Sequence, residues 1–255
     1  KQPVPSRDLD FNPVYIVAEY ESLAGDGDDI VAGGRASIYT DDDNVEVGVT
    51  RIDDGTTGAE ASLTGVDLRW QINSQTLLTA ETASTDTTVG GTPTSGSAHS
   101  IELEHNGENV DVRAFMREVD DDFGLGYQSA ADQGVRRLGI DARATIGEHW
   151  RVEGEAGWQQ MLATEDIRNL ARGRVRYERQ TFSASAGLTH AEDAFDDGDT
   201  RTSDLLDLGL TKKLFDSRLT LRVNSSSALN DDAESLDYPT RLVFGADYRL
   251  NSDVD

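Results

Sequence analysis

Hydrophobic and polar positions along the chain follow a period of two. In Trp150-Arg151-Val152-Glu153-Gly154-Glu155-Ala156-Gly157-Trp158, one alternate set is Trp, Val, Gly, Ala, Trp and the other is Arg, Glu, Glu, Gly. Successive side chains of a strand point to opposite faces, so the segment predicts a strand with one apolar and one charged face. Leu138, Ile140, Ala142, Ala144 and Ile146 alternate in the same way with Arg137, Asp141 and Arg143. So do Ala171, Gly173, Val175 and Tyr177 with Arg172, Arg174 and Arg176, and Leu242, Phe244, Ala246, Tyr248 and Leu250 with Arg241, Asp247 and Arg249. Helical spacing is hard to find. Such runs predict about fourteen strands of roughly 9–13 residues, the length of tilted membrane-crossing strands. Their predicted centres are Ile16, Ser37, Val47, Leu68, Ala80, Ile101, Ala114, Ala142, Gly154, Arg174, Ala186, Leu208, Leu221 and Phe244.

The connections carry a second signal. From the fourth strand onward, short ones at Asn73-Ser74-Gln75, Asn106-Gly107-Glu108, Gly147-Glu148-His149, Arg179-Gln180 and Phe215-Asp216-Ser217 alternate with long ones. The long ones are read at Thr85–Ser97, Asp120–Gly134, Met161–Asp166, Ala191–Arg201 and Ser225–Ser235. Tight periplasmic turns and longer external loops are the habit of an up-and-down barrel in an outer membrane, which explains both sets at once.

Alternation alone also fits a soluble antiparallel sheet with one wet face. The aromatic residues discriminate. Trp70, Trp150, Tyr177, Phe182 and Tyr248 fall on the apolar face within a few residues of a short turn, where a membrane barrel carries its interfacial girdle. Trp158 lies on the face of Trp150, eight residues on, or about 20 Å of membrane height at a tilt near 45°. The polar face points the same way: charged residues rarely fill a soluble core but line the water-filled lumen of a membrane barrel. The expected pore-lining residues are Arg137, Asp141 and Arg143 on one strand and Arg151, Glu153 and Glu155 on the next. Arg172, Arg174 and Arg176 form an arginine ladder on a third, and Arg222, Asp247 and Arg249 complete the set. Opposed acidic and basic rows either set up a transverse field that orients dipolar or anionic solutes, or neutralise each other and plug the lumen.

Composition narrows the partners. The 255 residues carry 48 Asp and Glu against 23 Lys and Arg, a formal charge of −25 that disfavours nucleic acid. The acids concentrate in Asp26–Asp29, Asp41–Asp43, Asp120–Asp122, Glu192–Asp199 and Asp231–Glu234, between the predicted strands. There is no Cys, hence no disulfide framework and no thiolate metal site. No stretch approaches the roughly 20 apolar residues of a membrane-spanning helix, and the start, Lys1-Gln2-Pro3-Val4-Pro5, has no apolar signal core.

Candidate chemistry is sparse. His99, His105, His149 and His190 have no partner at metal-ligand spacing, so interfacial or solvated roles are expected. His190 with Glu192 and Asp193 is the one start toward a barrel hydrolase. Asp193-Ala194-Phe195-Asp196-Asp197-Gly198-Asp199 offers carboxylates and a glycine but not the ordered spacing of a calcium loop, and reads as a solvated acidic loop. No catalytic group, metal site or cofactor is expected.

The segments Asp122-Phe123-Gly124-Leu125-Gly126-Tyr127-Gln128-Ser129 and Gly134-Val135-Arg136-Arg137-Leu138-Gly139-Ile140-Asp141-Ala142-Arg143 resemble hairpins in the barrel regions of large proteobacterial cell-surface proteins. Phe244-Gly245-Ala246-Asp247-Tyr248-Arg249-Leu250 is similar. The resemblance implies an outer-membrane location without a settled activity. The chain departs from that pattern by stopping at Asn251-Ser252-Asp253-Val254-Asp255 rather than on a terminal aromatic, which reads as a turn toward a further strand of a larger barrel.

The expectation is therefore an all-β, antiparallel up-and-down transmembrane barrel over residues 13–255, preceded by a periplasmic segment over 1–12. It would sit in the outer membrane of a Gram-negative bacterium, long acidic loops outside and short turns in the periplasm. The expected partners are lipid and lipopolysaccharide, and further subunits of an envelope complex. A passive channel or scaffold is the expected function. The alternatives are a surface anchor or adhesin whose acidic loops bind a partner, and a soluble secreted β-protein.

Overall fold

In the computed structural model the described residues are 30–40, 43–57, 59–125, 133–230 and 240–250. Every regular element among them is a strand: β1 Val31–Tyr39, β2 Val45–Asp54, β3 Ala59–Asn73, β4 Thr76–Val89, β5 Thr92–Asn106, β6 Val110–Val119 and β7 Val135–Ile146. These continue as β8 Trp150–Met161, β9 Ile167–Arg179, β10 Phe182–Ala194, β11 Thr200–Leu214, β12 Leu219–Ala228 and β13 Arg241–Tyr248. The thirteen strands form one sheet in sequence order, with antiparallel ladders from β1 to β3 and from β8 to β13. Each predicted centre from Ser37 to Phe244 falls inside one strand. The predicted strand at Ile16 and the segment 1–12 lie outside the described residues.

Contacts divide the chain into two compact units: Lys1–Trp70, Thr79–Ser100 and Arg117–Val135, and Gln71–Leu78, Ile101–Met116 and Arg136–Asp255. In the first, the pairs Ala36↔Val49, Val49↔Val66 and Ile38↔Val47, Val47↔Leu68 keep apolar residues together on one face. Arg35↔Thr50, Thr50↔Gly65 and Ser37↔Gly48, Gly48↔Asp67 hold the other. This second face is covered by the segment Asp120–Gly124. Gly124 N–H donates to Thr85 Oγ1 at 3.1 Å, and Thr87 Oγ1 donates to the Gly124 carbonyl at 3.3 Å. Asp120 Oδ2 accepts from the Ser97 N–H at 2.8 Å and from its hydroxyl at 2.6 Å. A side chain at Gly96 would place its Cβ 2.3 Å from the Phe123 nitrogen, so only glycine lets this segment lie so close. Thr85 is consequently 1% exposed.

In the second unit six strands run in matched register. Trp150, Tyr177, Ala184, Leu210, Val223 and Phe244 form one cross-strand row. Val152, Val175, Ala186, Leu208, Ser225 and Leu242 form the next, two residues along each strand. Between them, on the opposite face, lie Arg151, Arg176, Ser185, Gly209 and Asn224.

One expectation fails. Thr85–Ser97 is not a long loop: β4 continues to Val89, β5 begins at Thr92, and Gly90-Gly91 alone turns the chain. Both glycines have positive φ, 59° and 84°, the requirement of a tight hairpin turn whose twist matches the strands. The threonines and serines that look like loop are residues that strands accept readily. The strict alternation of short and long connections therefore breaks at this hairpin. Residues 162–166 and 195–199 make connections of modest length after β8 and β10, and 120–134 separates β6 from β7.

Replacing Gly90 or Gly91 by alanine is expected to destabilise the protein by about 1–2 kcal/mol each, because an L side chain is disfavoured at positive φ. Denaturant unfolding midpoints of the two variants check this.

Candidate functional site

The charged face is organised by bridges between strands. In the first unit Arg35 donates from Nη2 to Asp67 Oδ2 at 2.6 Å and to Glu46 Oε1 at 2.9 Å, and from Nε to Asp67 Oδ1 at 3.1 Å. The bridge spans β1 to β3 because β2 contributes Gly48 beneath it. A Cβ there would meet Arg35 Nη2 and Asp67 Oδ2 at 2.5 Å each.

The second unit repeats the device. Arg143 Nη2 lies 2.7 Å from Asp111 Oδ2, linking β7 to β6. Arg113 on β6 lies 2.7 Å from Glu102 on β5 and 3.7 Å from Asp141 on β7. Phe115 continues this face on β6 and lies over Gly139, whose added Cβ would meet the ring at 2.6 Å. Arg137 donates to Gln159 Oε1 at 3.1 Å, joining the same face to β8. Farther along, Arg172 Nη1 is 3.5 Å from Glu155 Oε2 and its Nε is 3.3 Å from Thr189 Oγ1. Ser226 Oγ donates to Asp207 Oδ1 at 2.5 Å, and Arg222 pairs with Asp247. The register sets Glu153 opposite Arg174 and Arg151 opposite Arg176.

The expected charged set thus falls on a common side wherever the described register and contacts connect it. Arg137, Asp141, Arg143, Glu153, Glu155, Arg172, Arg174 and Arg176 belong to one continuous face with Arg151, and Arg222 pairs with Asp247. Arg249 enters through its backbone N–H, which donates to the Arg218 carbonyl at 2.8 Å. Sequence reasoning missed Arg35, Glu46, Asp67, Glu102, Asp111 and Arg113. A signal was present in each case, an acid or base at alternate positions of a strand, but β1 is so rich in glycine and alanine that its charged side is a single arginine.

The opposite face gathers the aromatic residues. Trp150 and Tyr177 have ring centroids 4.8 Å apart, and Tyr177 and Phe182 6.4 Å. The Arg179 guanidinium lies 5.7 Å from the Tyr177 ring centroid and Lys212 Nζ lies 6.0 Å from that of Phe182. His149 packs edge-on against Tyr177 at 5.7 Å. Trp70 and Tyr248 are exposed beside Val45 and Leu219. Trp158 differs: it faces Asn169, whose amide donates to Glu192 at 3.3 Å, so it borders polar residues.

The histidines bind neighbours within the sheet. His99 Nδ1 lies 2.8 Å from Thr82 Oγ1, and His105 Nδ1 lies 2.9 Å from Thr76 Oγ1. His190 pairs with Asp204 on β11, Nδ1 to Oδ1 at 2.7 Å, rather than with Glu192 or Asp193. Glu192 bonds Asn169, and Asp193 lies 3.1 Å from Arg168. In the acidic loop, Asp197 Oδ1 accepts the Asp199 N–H. No group of three or more metal-ligating side chains occurs among the described residues.

No protein-family model matches the chain, and no curated protein matches it in sequence. Among solved structures, the COG4313 outer membrane channel from Pseudomonas putida F1 is similar at 13% identity, covering 88% of this chain and 96% of that one, with a TM-score of 0.34. A likeness at that level carries nothing over to this chain.

Substituting Gly48 with valine is expected to push Arg35 and Asp67 apart and to destabilise the protein by about 1–3 kcal/mol, as overpacking does. Unfolding of the G48V variant checks this, with Gly34→Val, where an added Cβ meets nothing within 4 Å, as the comparison.

Proposed function

We propose that this chain is part of an outer-membrane β-barrel whose apolar face meets lipid and whose charged face lines an aqueous lumen, acting as a passive channel or membrane scaffold without a catalytic group. One observation carries the reading. Among the described residues thirty large hydrophobic side chains are exposed, while the buried apolar ones are Ala61, Ala83, Val135, Ala191 and Leu205. A soluble protein of this size would have the reverse balance, because exposed apolar patches beyond a few hundred Å² are costly in water.

The exposed set is also ordered. Leu188, Leu208, Leu242 and Phe244 are 58%, 48%, 59% and 72% exposed, and all lie on the same side as Trp150 and Val175. Lipid covers such a surface without cost. Trp150, Tyr177 and Phe182, flanked by Arg179 and Lys212, suit the level of the headgroups, where amphipathic rings and snorkelling cations are at home. Their place beside the short turns sets those turns at one headgroup level, and the shortness of these turns against the longer acidic connections favours the periplasm for the short ones.

The other face supports a wet interior. Its ion pairs are individually weak in stabilising terms, since exposed pairs contribute about 0–1 kcal/mol. Their effect is to balance charge along the wall. The segment Asp120–Leu125, folded over Thr85 and Thr87, favours a second reading in which the interior is obstructed and the barrel serves as an anchor. Single-channel recording in planar bilayers separates the two: steady, salt-dependent conductance supports transport, and insertion without conductance supports an anchor.

Two neighbours on β9 test the assignment of faces. Val175→Arg is expected to cost about 2–4 kcal/mol if Val175 lies near the bilayer midplane. Arg174→Ala is expected to cost much less and to alter ion selectivity instead. Unfolding in lipid vesicles and reversal potentials read the two effects, and the opposite ranking of stabilities would sink the assignment.

A further inference from the structure

On the charged face of the second unit one row differs from those around it. Arg151 on β8 and Arg176 on β9 are direct cross-strand partners, and the row continues through Ser185, Gly209 and Asn224. Directly opposed side chains have Cβ atoms about 4.5–5.5 Å apart, and like charges so placed repel. Most arginines of this face have a carboxylate at hand: Arg113 has Glu102, Arg143 has Asp111, Arg172 has Glu155 and Arg222 has Asp247. Among the described residues, neither Arg151 nor Arg176 forms an ion pair or a hydrogen bond through its guanidinium, although both are only partly exposed.

The nearest carboxylates along these two strands, Glu153 and Glu178, are each two residues away on the same face, and neither bonds to the pair. The next residue of the row, Ser185, offers a hydroxyl donor beside Arg176. Ser185 Oγ leans over Gly209, 2.6 Å from where its Cβ would stand, while Asn224, three strands from Arg176, turns its accepting Oδ1 to the same glycine at 3.1 Å. The row therefore presents two guanidinium forks and a hydroxyl side by side, with no carboxylate among them. In a chain of net charge −25, this concentration of unneutralised donors on a wall of alternating pairs is the exception.

We propose that Arg151 and Arg176, with Ser185 beside them, form a binding site for an oxyanion, a solute bearing a phosphate or carboxylate group. A planar or tetrahedral oxyanion accepts paired hydrogen bonds from each fork, which relieves the repulsion that no carboxylate of the chain relieves. The bound group would be held in the interior of the barrel, where surrounding acids oppose anions and only a local site retains one. The inference rests on the charged face being the aqueous one, and it deepens that reading by naming the class of solute.

Inorganic phosphate is the probe. The full chain in detergent micelles is titrated calorimetrically at constant ionic strength, with chloride as the balancing anion, so that binding is read without need of an open pore. Wild type is expected to bind phosphate and to melt at higher temperature in it than in chloride alone. Arg151→Gln with Arg176→Gln is expected to weaken binding about tenfold or more and to abolish the phosphate-dependent rise. Without phosphate, the Arg176→Gln variant is expected to melt above wild type, because one of two opposed charges is gone. Arg176→Lys keeps the charge but not the fork, and is expected to bind more weakly than wild type; it serves if the double variant fails to fold. Arg179→Gln, on the other face, should leave binding unchanged. Absence of phosphate binding by wild type, or equal binding by the Arg151 and Arg176 variants, would overturn the site. Conductance is scored separately: binding without conductance keeps the site and rejects the channel, whereas conductance without binding does the reverse.

Discussion

An antiparallel ladder sends alternate residues of every strand to opposite sides, and pairing two strands commits them to a shared pair of faces. Everything else in this protein follows from keeping those faces pure across many strands. From β8 to β13 the register matches Trp150 to Phe244 and Val152 to Leu242 without one charged residue in either row. A slip of one residue at the β9–β10 ladder would put Arg174 opposite Ala186 or Leu188. The purity is worth maintaining only if the two sides meet different solvents.

The charged side achieves its order with missing side chains as much as with present ones. Gly48 lies beneath the Arg35–Asp67 bridge, Gly139 beneath Phe115, and Gly187 beside the arm of Arg174. Gly48 lets Arg35 lie across its strand and reach Asp67 on the far side, and Gly139 and Gly187 leave room for Phe115 and Arg174. Several arginines of the wall are thereby paired with carboxylates of neighbouring strands. Against that background the opposed Arg151 and Arg176 stand out chemically.

Much of the architecture was readable from the chain alone, because alternation is a local property: Trp150–Trp158 or Leu138–Ile146 declares its two faces without reference to any partner. That Arg151, Glu153 and Glu155 lie on the strand beside Arg172, Arg174 and Arg176 was readable too, whereas which residue faces which was not. What local pattern could not supply was contact between distant segments. Nothing in Asp120–Leu125 announces that it packs on Thr85 and Gly96, and nothing around His190 points to Asp204 rather than Glu192. The hairpin at Gly90-Gly91 was missed for a different reason. Threonine and serine read equally as loop and as strand, and the pair of glycines that decides the matter was absorbed into a segment of the same polarity.

The proposed division of the two faces between lipid and water is most directly measured by site-directed spin labelling along β9. The chain has no cysteine, so a single one introduced at each position from Ala171 to Tyr177 carries a nitroxide without interference. In lipid vesicles, labels at 171, 173, 175 and 177 should be relaxed by oxygen, which concentrates in the hydrocarbon, and those at 172, 174 and 176 by a water-soluble nickel chelate. Equal access of the chelate to both sets, or an absence of the two-residue period, would contradict the membrane assignment.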